Sequence, residues 1–188
     1  RLVDVTKQIK SGAYDDENAF VSSLISEKAA LGMMAAQQEL IDLGGNVLVE
    51  MKHTPNTGFV TPAIVEVTNV ANIPDEEHFG PLLKVYRYDT FEQAIDQANA
   101  TSFGLSAGLL SDSEALWQQF LSRIRAGIVN RNRPTTGANS AAPFGGIGAS
   151  GNHRAGAYYA ADYCAFPISS VEVEKVALPE SLSPGLSF

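Results

Sequence analysis

The chain has 188 residues, 45% of them hydrophobic, with 13 basic and 21 acidic side chains and a formal net charge of −8. This balance argues against nucleic acid as a partner, because phosphate binding needs clustered Lys and Arg that displace counterions. No run approaches the roughly 18 apolar residues of a membrane helix, so no membrane partner is expected. The single cysteine, Cys164, excludes an intrachain disulfide and is typical of a reducing cytoplasm. The three histidines lie far apart, so we expect no metal site.

The N-terminal half is predicted to hold helices followed by strands. Apolar residues at helical spacing over residues 1–10 predict a helix that Ser11-Gly12 ends. The chain begins with Arg1 inside this pattern rather than with Met, so we expect it to be a piece of a longer polypeptide. Residues 20–43 predict a second helix, ended by Gly44-Gly45. The β-rich runs that follow are 46–51, 58–67 and 82–88.

Helix and strand patterns alternate between residues 90 and 130. Residues 90–93 and 111–114 both have capping-box spacing, and the second of these helices is predicted to end at Gly127. Residues 106–110 and 128–130 predict strands. Strands that alternate with helices predict an α/β fold with an open, mostly parallel sheet flanked by helices.

The chain changes character after Asn130. Residues 131–157 are rich in small and polar residues, which predicts a long loop that is functional or disordered. Residues 168–176 partly alternate valine with charged side chains, which favours a strand that pairs with the edge of another chain. The predicted organisation is a catalytic-type domain over 1–157 and an oligomerisation strand with an irregular tail over 158–188.

The acidic segment Asp75-Glu76-Glu77-His78-Phe79-Gly80-Pro81 lies between two predicted strands. Gly80-Pro81 enforces a turn and places Phe79 near a sheet edge, where ligands collect in open parallel sheets. A carboxylate at this edge can accept hydrogen bonds from a ribose diol, and an aromatic ring can support a flat heterocycle. The alternative is an acidic surface turn with one buried Phe.

The segment 143–151 is rich in glycine but has neither the spacing of a dinucleotide fingerprint nor the Lys of a phosphate loop. A flexible linker is one interpretation of it. Phe144 at its start favours a formed loop, because linkers seldom contain an aromatic residue.

Four segments, taken together, resemble aldehyde dehydrogenases in their order and spacing, and the resemblance covers essentially the whole chain. It implies an NAD-dependent enzyme that oxidises an aldehyde and assembles as a homo-oligomer. The four segments are Glu77-His78-Phe79-Gly80-Pro81, Asn99-Ala100-Thr101-Ser102-Phe103-Gly104-Leu105, Gly127-Ile128-Val129-Asn130 and Pro143-Phe144-Gly145-Gly146.

Two further stretches, residues 130–138 and 151–164, resemble the family members that oxidise N-succinylglutamate 5-semialdehyde in arginine catabolism. Thr135-Thr136-Gly137-Ala138 also resembles members that oxidise glutamate semialdehyde (pyrroline-5-carboxylate), which is the alternative. A non-catalytic assembly domain is a third hypothesis. The presence of Glu77, Phe79 and the Gly137-Ala138 loop argues against it, because a scaffold has no need of residues that contact a nucleotide or an anion.

The resemblance implies roles for five residues. Glu77 binds the nicotinamide ribose and Phe79 packs near the nicotinamide ring, while Phe144 lines the aldehyde pocket. The backbone amides of Gly137 and Ala138 face the substrate carboxylate, since a set of N–H groups suits an anion. A semialdehyde and the upstream part of the same polypeptide are therefore the expected partners.

Neither the nucleophile nor the general base of the family is expected within these residues. The apolar neighbours of Cys164 disfavour a thiolate, so a buried structural thiol is predicted. Asp42-Leu43-Gly44-Gly45 resembles the Glu-Leu-Gly-Gly of the family's base, but it follows a long helix and is interpreted as a helix end. Arg131 and Arg133 either add positive charge that attracts the substrate or form structural contacts within the protein.

Overall fold

The structure is a computed structural model that describes residues 1–137, 139–152 and 154–186. The α/β class is confirmed by five helices and seven strands in this part of the chain. The helices are α1 (Leu2–Thr6), α2 (Glu27–Asp42), α3 (Phe91–Asn99), α4 (Glu114–Arg123) and α5 (Ala160–Tyr163). The strands are β1 (Asn46–Val49), β2 (Ala63–Glu66), β3 (Leu82–Val85), β4 (Ser106–Leu109), β5 (Ile128–Arg131), β6 (Pro143–Phe144) and β7 (Gly156–Ala157).

The strands form three small sheets, and this part of the chain thereby departs from the single open, mostly parallel sheet that was expected. Strands β2 and β3 are parallel, as are β4 and β5, whereas β1–β2 and β6–β7 are antiparallel. The reversal at β1–β2 follows from its connection, in which a bridge between His53 and Val60 folds the chain back without a helix. A parallel pair needs a crossover, and α4 supplies one between β4 and β5.

The hydrophobic core lies between α2 and the sheet that contains β2. Ala30 and Met33 of α2 pack with Met51, and Leu40 packs with Val65. Strand β2 is buried at Ala63, Ile64 and Val65 because it is the central strand of its sheet. Burying each of the larger side chains, such as Leu40 and Ile64, contributes about 1.5–3 kcal/mol, so this core stabilises the elements from which the site loops extend.

Helix α2 begins later than the apolar pattern predicted. Its N-cap is Ser26, whose hydroxyl accepts a hydrogen bond from the Ala29 amide at 3.2 Å. The preceding residues stay extended because the Leu24 amide donates to the Gly58 carbonyl at 2.9 Å instead of continuing a helix. The predicted end is confirmed, since Gly44 follows the helix with a φ of 100°.

The two later helices differ in how well local sequence located their ends. Thr90 caps α3 as predicted, through the Gln93 amide. Helix α4 is capped by Ser113 rather than by Ser111, because the Ser111 amide donates to the Asn132 side chain at 2.8 Å. It also ends at Arg123, before Gly127, which immediately precedes β5.

The C-terminal segment has no strand among residues 164–186 of this single chain. Phe166, Ile168, Val171 and Val173 are between 82% and 97% exposed, and no described strand pairs with this segment. Cys164 is exposed as well, and the prediction of a buried thiol is therefore wrong. Its apolar neighbours do not enclose it, because they have no core to pack against.

None of the helices in the described ranges combines the length and the apolar character needed to cross a membrane.

Candidate functional site

The 75–81 loop presents Glu77 and Phe79 to solvent from a segment that is fixed at its C-terminal end. Phe79 is 83% exposed, which excludes the alternative of an acidic turn with a buried Phe. Gly80 lies so close to α2 that a Cβ atom there would approach the Met33 Sδ to 2.6 Å. The Pro81 carbonyl accepts a hydrogen bond of 2.9 Å from the first residue of β2. An exposed ring on such a fixed turn suits a flat ligand.

The other end of this loop is fixed by Asp75. Its carboxylate accepts three hydrogen bonds of 2.6 Å, from the hydroxyl of Thr101 and from both the amide and the hydroxyl of Ser102. These donors, the Ser102 hydroxyl above all, lower the pKa of Asp75 to about 2. The carboxylate is therefore charged at neutral pH and joins the 75–81 loop to the chain between α3 and β4.

Residues 101–105, which follow α3, also contact the glycine-rich 145–151 segment. The Ala149 amide donates to the Ser102 carbonyl at 2.9 Å, and the Ile147 amide donates to the Gly104 carbonyl at 3.0 Å. The Gly104 amide in turn donates to the Ser150 hydroxyl at 3.1 Å. The 101–105 loop thus contacts both predicted site loops, and the 145–151 segment is a formed loop rather than a linker.

Phe144 lies in β6, which pairs with β7, and it is 42% exposed. It borders a cleft of about 580 Å³ whose other lining side chains include Ser150, Asn152, Arg154 and Tyr163. A half-exposed ring at the mouth of a cleft is placed to contact a small ligand. Sequence reasoning assigned no role to Arg154, because a single cation in a glycine-rich stretch carries no pattern.

The 131–137 loop runs alongside β4, from its last residue back to its first. The Ser106 hydroxyl donates to the Thr135 carbonyl at 2.9 Å, and the Asn130 side chain donates to the Pro134 carbonyl at 2.8 Å. Gly137 has a φ of 91°, a conformation that costs glycine little. The predicted partner of Gly137, Ala138, lies outside the described residues.

Arg131 is a structural residue. Its guanidinium donates to the carbonyls of Ser111 and Asp112 at 3.3 and 3.2 Å, pairs with the Glu114 carboxylate and lies 5.9 Å from the Trp117 ring centroid. Hydrogen bonds from Gln118 first, and then from Arg131, lower the pKa of Glu114. The guanidinium is thus engaged by the first turns of α4, and the structural interpretation of Arg131 is supported over substrate binding. Arg133 is exposed.

The structure therefore brings some of the predicted site residues together and leaves others apart. The loops that carry Glu77 and Phe144 both lie against residues 101–105, whereas Gly137 lies on a separate loop at β4. The contacts of Asp75, Thr101 and Ser102 were missed by sequence reasoning. The only sequence signal for them was a Thr-Ser pair that directly follows a helix, where short hydroxyl side chains often bind nearby acceptors.

Known proteins that resemble this chain in sequence and in structure identify its family. The model of the aldehyde dehydrogenase family matches residues 1–166. The chain belongs to the aldehyde dehydrogenase family.

Two aldehyde dehydrogenases are similar to this chain, one in sequence and the other in structure. The chain is 58% identical over 190 aligned positions to an N-succinylglutamate 5-semialdehyde dehydrogenase of Paraburkholderia xenovorans (strain LB400), an alignment that covers 100% of this chain and 39% of that enzyme. The crystal structure of aldehyde dehydrogenase 21 from Physcomitrella patens, in complex with the reaction product succinate, matches with a TM-score of 0.75 at 28% identity. That match covers 85% of this chain and 33% of the plant enzyme.

A third aldehyde dehydrogenase, the succinate-semialdehyde dehydrogenase of Burkholderia pseudomallei, matches with a TM-score of 0.74 at 29% identity. The match covers 86% of this chain and 34% of that enzyme. The chain thus spans well under half the length of each of these relatives.

Proposed function

We propose that this chain is the C-terminal part of an NAD-dependent aldehyde dehydrogenase that oxidises N-succinylglutamate 5-semialdehyde to N-succinylglutamate in arginine catabolism. The observation that carries the proposal is the 58% identity, along the whole chain, to an enzyme named for that substrate. The exposed positions of Glu77 and Phe79 on a fixed loop support it independently.

On the cofactor side, the residues present fit a nicotinamide nucleotide. The Glu77 carboxylate is exposed, and it would accept hydrogen bonds from the hydroxyls of the nicotinamide ribose. The ring of Phe79, 83% exposed, would pack against the nicotinamide. When bound, the cofactor supplies the hydride acceptor that aldehyde oxidation needs. The role of these two residues is to hold it in one orientation.

On the substrate side, Phe144 would line the aldehyde pocket, and the amides of Gly137 and Ala138 would bind a carboxylate of the semialdehyde. A carboxylate-bearing substrate agrees with the named relatives, one of which is a succinate-semialdehyde dehydrogenase and another a complex with succinate.

The reaction also needs a thiolate that attacks the aldehyde carbon and a base that activates the hydrolytic water. We assign neither role to Cys164, which follows α5 on the exposed C-terminal segment. Both groups, and the nucleotide-binding part, would come from the portion of the aldehyde dehydrogenase that precedes these residues. The family relatives are longer than this chain, as this proposal requires.

The complete polypeptide is expected to act in the cytoplasm as a homo-oligomer. An exposed free thiol such as Cys164 persists in a reducing compartment. The exposed valines near the C-terminus would form the apolar face of a strand that pairs with a second copy.

The test is turnover by the complete polypeptide that contains this chain. Formation of reduced cofactor is measured with N-succinylglutamate 5-semialdehyde and with glutamate semialdehyde, each with NAD and with NADP. We expect the largest kcat/KM for the succinylated substrate with NAD. Faster turnover of the free amino substrate would instead favour the glutamate semialdehyde alternative, and no turnover of any aldehyde would favour an assembly domain.

The variant Glu77→Gln probes the assigned cofactor contact, with Glu76→Gln on the same exposed loop as its matched control. Glu77→Gln is expected to raise the KM for NAD on the order of tenfold, since a charge-assisted hydrogen bond is lost. Equal effects of the two substitutions would contradict the role of Glu77.

A further inference from the structure

We propose that Asp75 is a positioning residue for the cofactor side of the site. Through its contacts with residues 101–105, it holds Glu77 and Phe79 at a defined position relative to the Phe144 loop. This inference rests on the proposed function. It assigns to Asp75 a role that family membership does not supply, because it follows from contacts made by this chain.

The first step is the location of Asp75 two residues before Glu77. The Asp75 side chain is attached to the 101–105 loop by three hydrogen bonds of 2.6 Å to its carboxylate. Bonds to a charged acceptor are among the stronger hydrogen bonds in proteins. The backbone immediately after Asp75 is therefore restricted even though Glu77 itself is exposed.

The second step is the fixed point at the other end of the loop. Gly80 packs on Met33, and Pro81 bonds to Ala63 of the core strand β2. Only residues 76–79 lie between this point and Asp75. Four residues held at both ends have few backbone conformations left, so the backbone that carries Phe79 is restricted although the ring itself is exposed.

The third step links the two sides of the site. The Ser102 carbonyl accepts from the Ala149 amide, and Gly104 bonds to both Ile147 and Ser150. The same five-residue loop, 101–105, therefore contacts the carboxylate of Asp75 and the backbone that follows Phe144. A displacement of Asp75 is expected to change the relation between cofactor and aldehyde pocket, which hydride transfer requires to be well defined.

The experiment compares Asp75→Ala and Asp75→Asn in the complete enzyme. Asp75→Ala is expected to lower kcat/KM for NAD by roughly 10- to 100-fold, the range expected when reacting groups are misplaced. Asp75→Asn keeps one acceptor oxygen and loses the charge, so its effect is expected to be intermediate. Asp112→Asn, a charge removal in another exposed turn, is the control and is expected to leave kcat/KM unchanged.

A double-mutant cycle separates positioning from general destabilisation. Because part of the effect of Asp75 passes through Glu77, the fold-loss in kcat/KM caused by Asp75→Ala is expected to be at least about threefold smaller in a Glu77→Gln background than in wild type. Undiminished costs in that background overturn the proposal. Ser102→Ala is the second variant to use if Asp75→Ala folds poorly. It removes the hydroxyl donor to the Asp75 carboxylate and is expected to reproduce part of the loss in kcat/KM.

Amide hydrogen exchange gives a readout that does not depend on activity. Asp75→Ala is expected to speed exchange at residues 76–79 and, more weakly, at 147–151, while α2 keeps its protection. Unchanged exchange in both loops contradicts the proposal, as does an equal increase throughout the chain. If the complete protein oxidises no aldehyde, the proposed function fails, and this exchange pattern alone then decides whether Asp75 positions the loop.

Discussion

Gly127 lies where two backbone segments approach each other too closely for any side chain. A Cβ atom at Gly127 would overlap the carbonyl oxygen of Gly145, at the start of the loop that follows Phe144. Gly32, in the middle of α2, has no atom within 4 Å of the corresponding position. Close packing therefore requires glycine at position 127, whereas no neighbouring atom requires it at position 32.

Substitution to alanine is expected to separate these two glycines. Gly127→Ala forces the backbone of the 145–151 loop to move and is expected to destabilise the fold by about 1–3 kcal/mol, as overpacking does. Gly32→Ala, its control, is expected to stabilise the fold by roughly 0.5–1 kcal/mol, because alanine loses less entropy in a helix. Urea unfolding measures both. A neutral Gly127→Ala would contradict the close approach.

The carboxylate of Asp75 predicts a specific dependence of stability on pH. Its pKa in the fold, about 2, lies below the ordinary value of 3.8, so the charged form is favoured by folding. The resulting stabilisation is fully present above pH 3.8 and is lost as the pH falls through about 2.

Unfolding midpoints of wild type and Asp75→Asn, measured from neutral pH downward, test this dependence. The difference between the two proteins is expected to stay constant at neutral and mildly acidic pH. It is expected to shrink as the pH falls from 3.8 towards 2. Asp112→Asn serves as the control without such a trend. Curves for Asp75→Asn and wild type that stay parallel over this range would show that the carboxylate is not held by Thr101 and Ser102.

Among the elements, α4 and β5 are joined by one side chain. Arg131, at the end of β5, bonds to the carbonyls of Ser111 and Asp112 and to Glu114 in the first turn of α4. These contacts explain why Ser113 is the N-cap of α4, since the residues before it are held by β5 and the loop that follows. The βαβ unit thus depends on a contact between residues about 20 positions apart.

Arg131→Ala is accordingly expected to lower the free energy of unfolding by about 1–3 kcal/mol, because two carbonyls and one carboxylate lose a charged donor. Arg133→Ala, at an exposed position two residues away, is expected to stay within roughly 0.5 kcal/mol of wild type. Thermal or urea unfolding checks the pair. An Arg131→Ala protein of normal stability with a raised KM for the semialdehyde would instead make Arg131 a substrate ligand.

At the scale of the whole molecule, the C-terminal segment leaves several large apolar side chains exposed. Val171 and Val173 are 97% and 82% exposed and alternate with Glu172 and Glu174. Such a segment gains by pairing its backbone and its apolar face with another chain. The predicted strand over 168–176 would then form only in an assembly.

Charge introduction tests this assembly in the complete polypeptide. Val173→Lys is expected to raise the dissociation constant of the oligomer at least about tenfold, as seen by sedimentation or light scattering, since a charge enters the apolar face. Glu174→Lys introduces the same side chain on the opposite face and is expected to have a smaller effect. An unchanged oligomer with Val173→Lys would remove the segment from the interface.

Elements whose signals are local were predicted well from the sequence. The Thr90 cap and the Gly44 helix end depend on residues within one turn of each other, and both are confirmed. The start of α2 and the cap of α4 were misplaced, because Leu24 and Ser111 bond to residues far along the chain. Residue patterns within a short window carry no information about such partners.

The sequence by itself determined the family, because the order and spacing of its segments identify it without coordinates. It also selected Glu77, Phe79 and Phe144 as candidate site residues, through the family motifs that contain them, and their roles stay predictions. Only the tertiary structure decided that Asp75 bonds to Thr101 and Ser102 and that Gly104 bonds to Ser150. These pairs lie 26 to 46 positions apart, and hydrogen bonds over such separations follow from how the core folds the chain rather than from any local pattern.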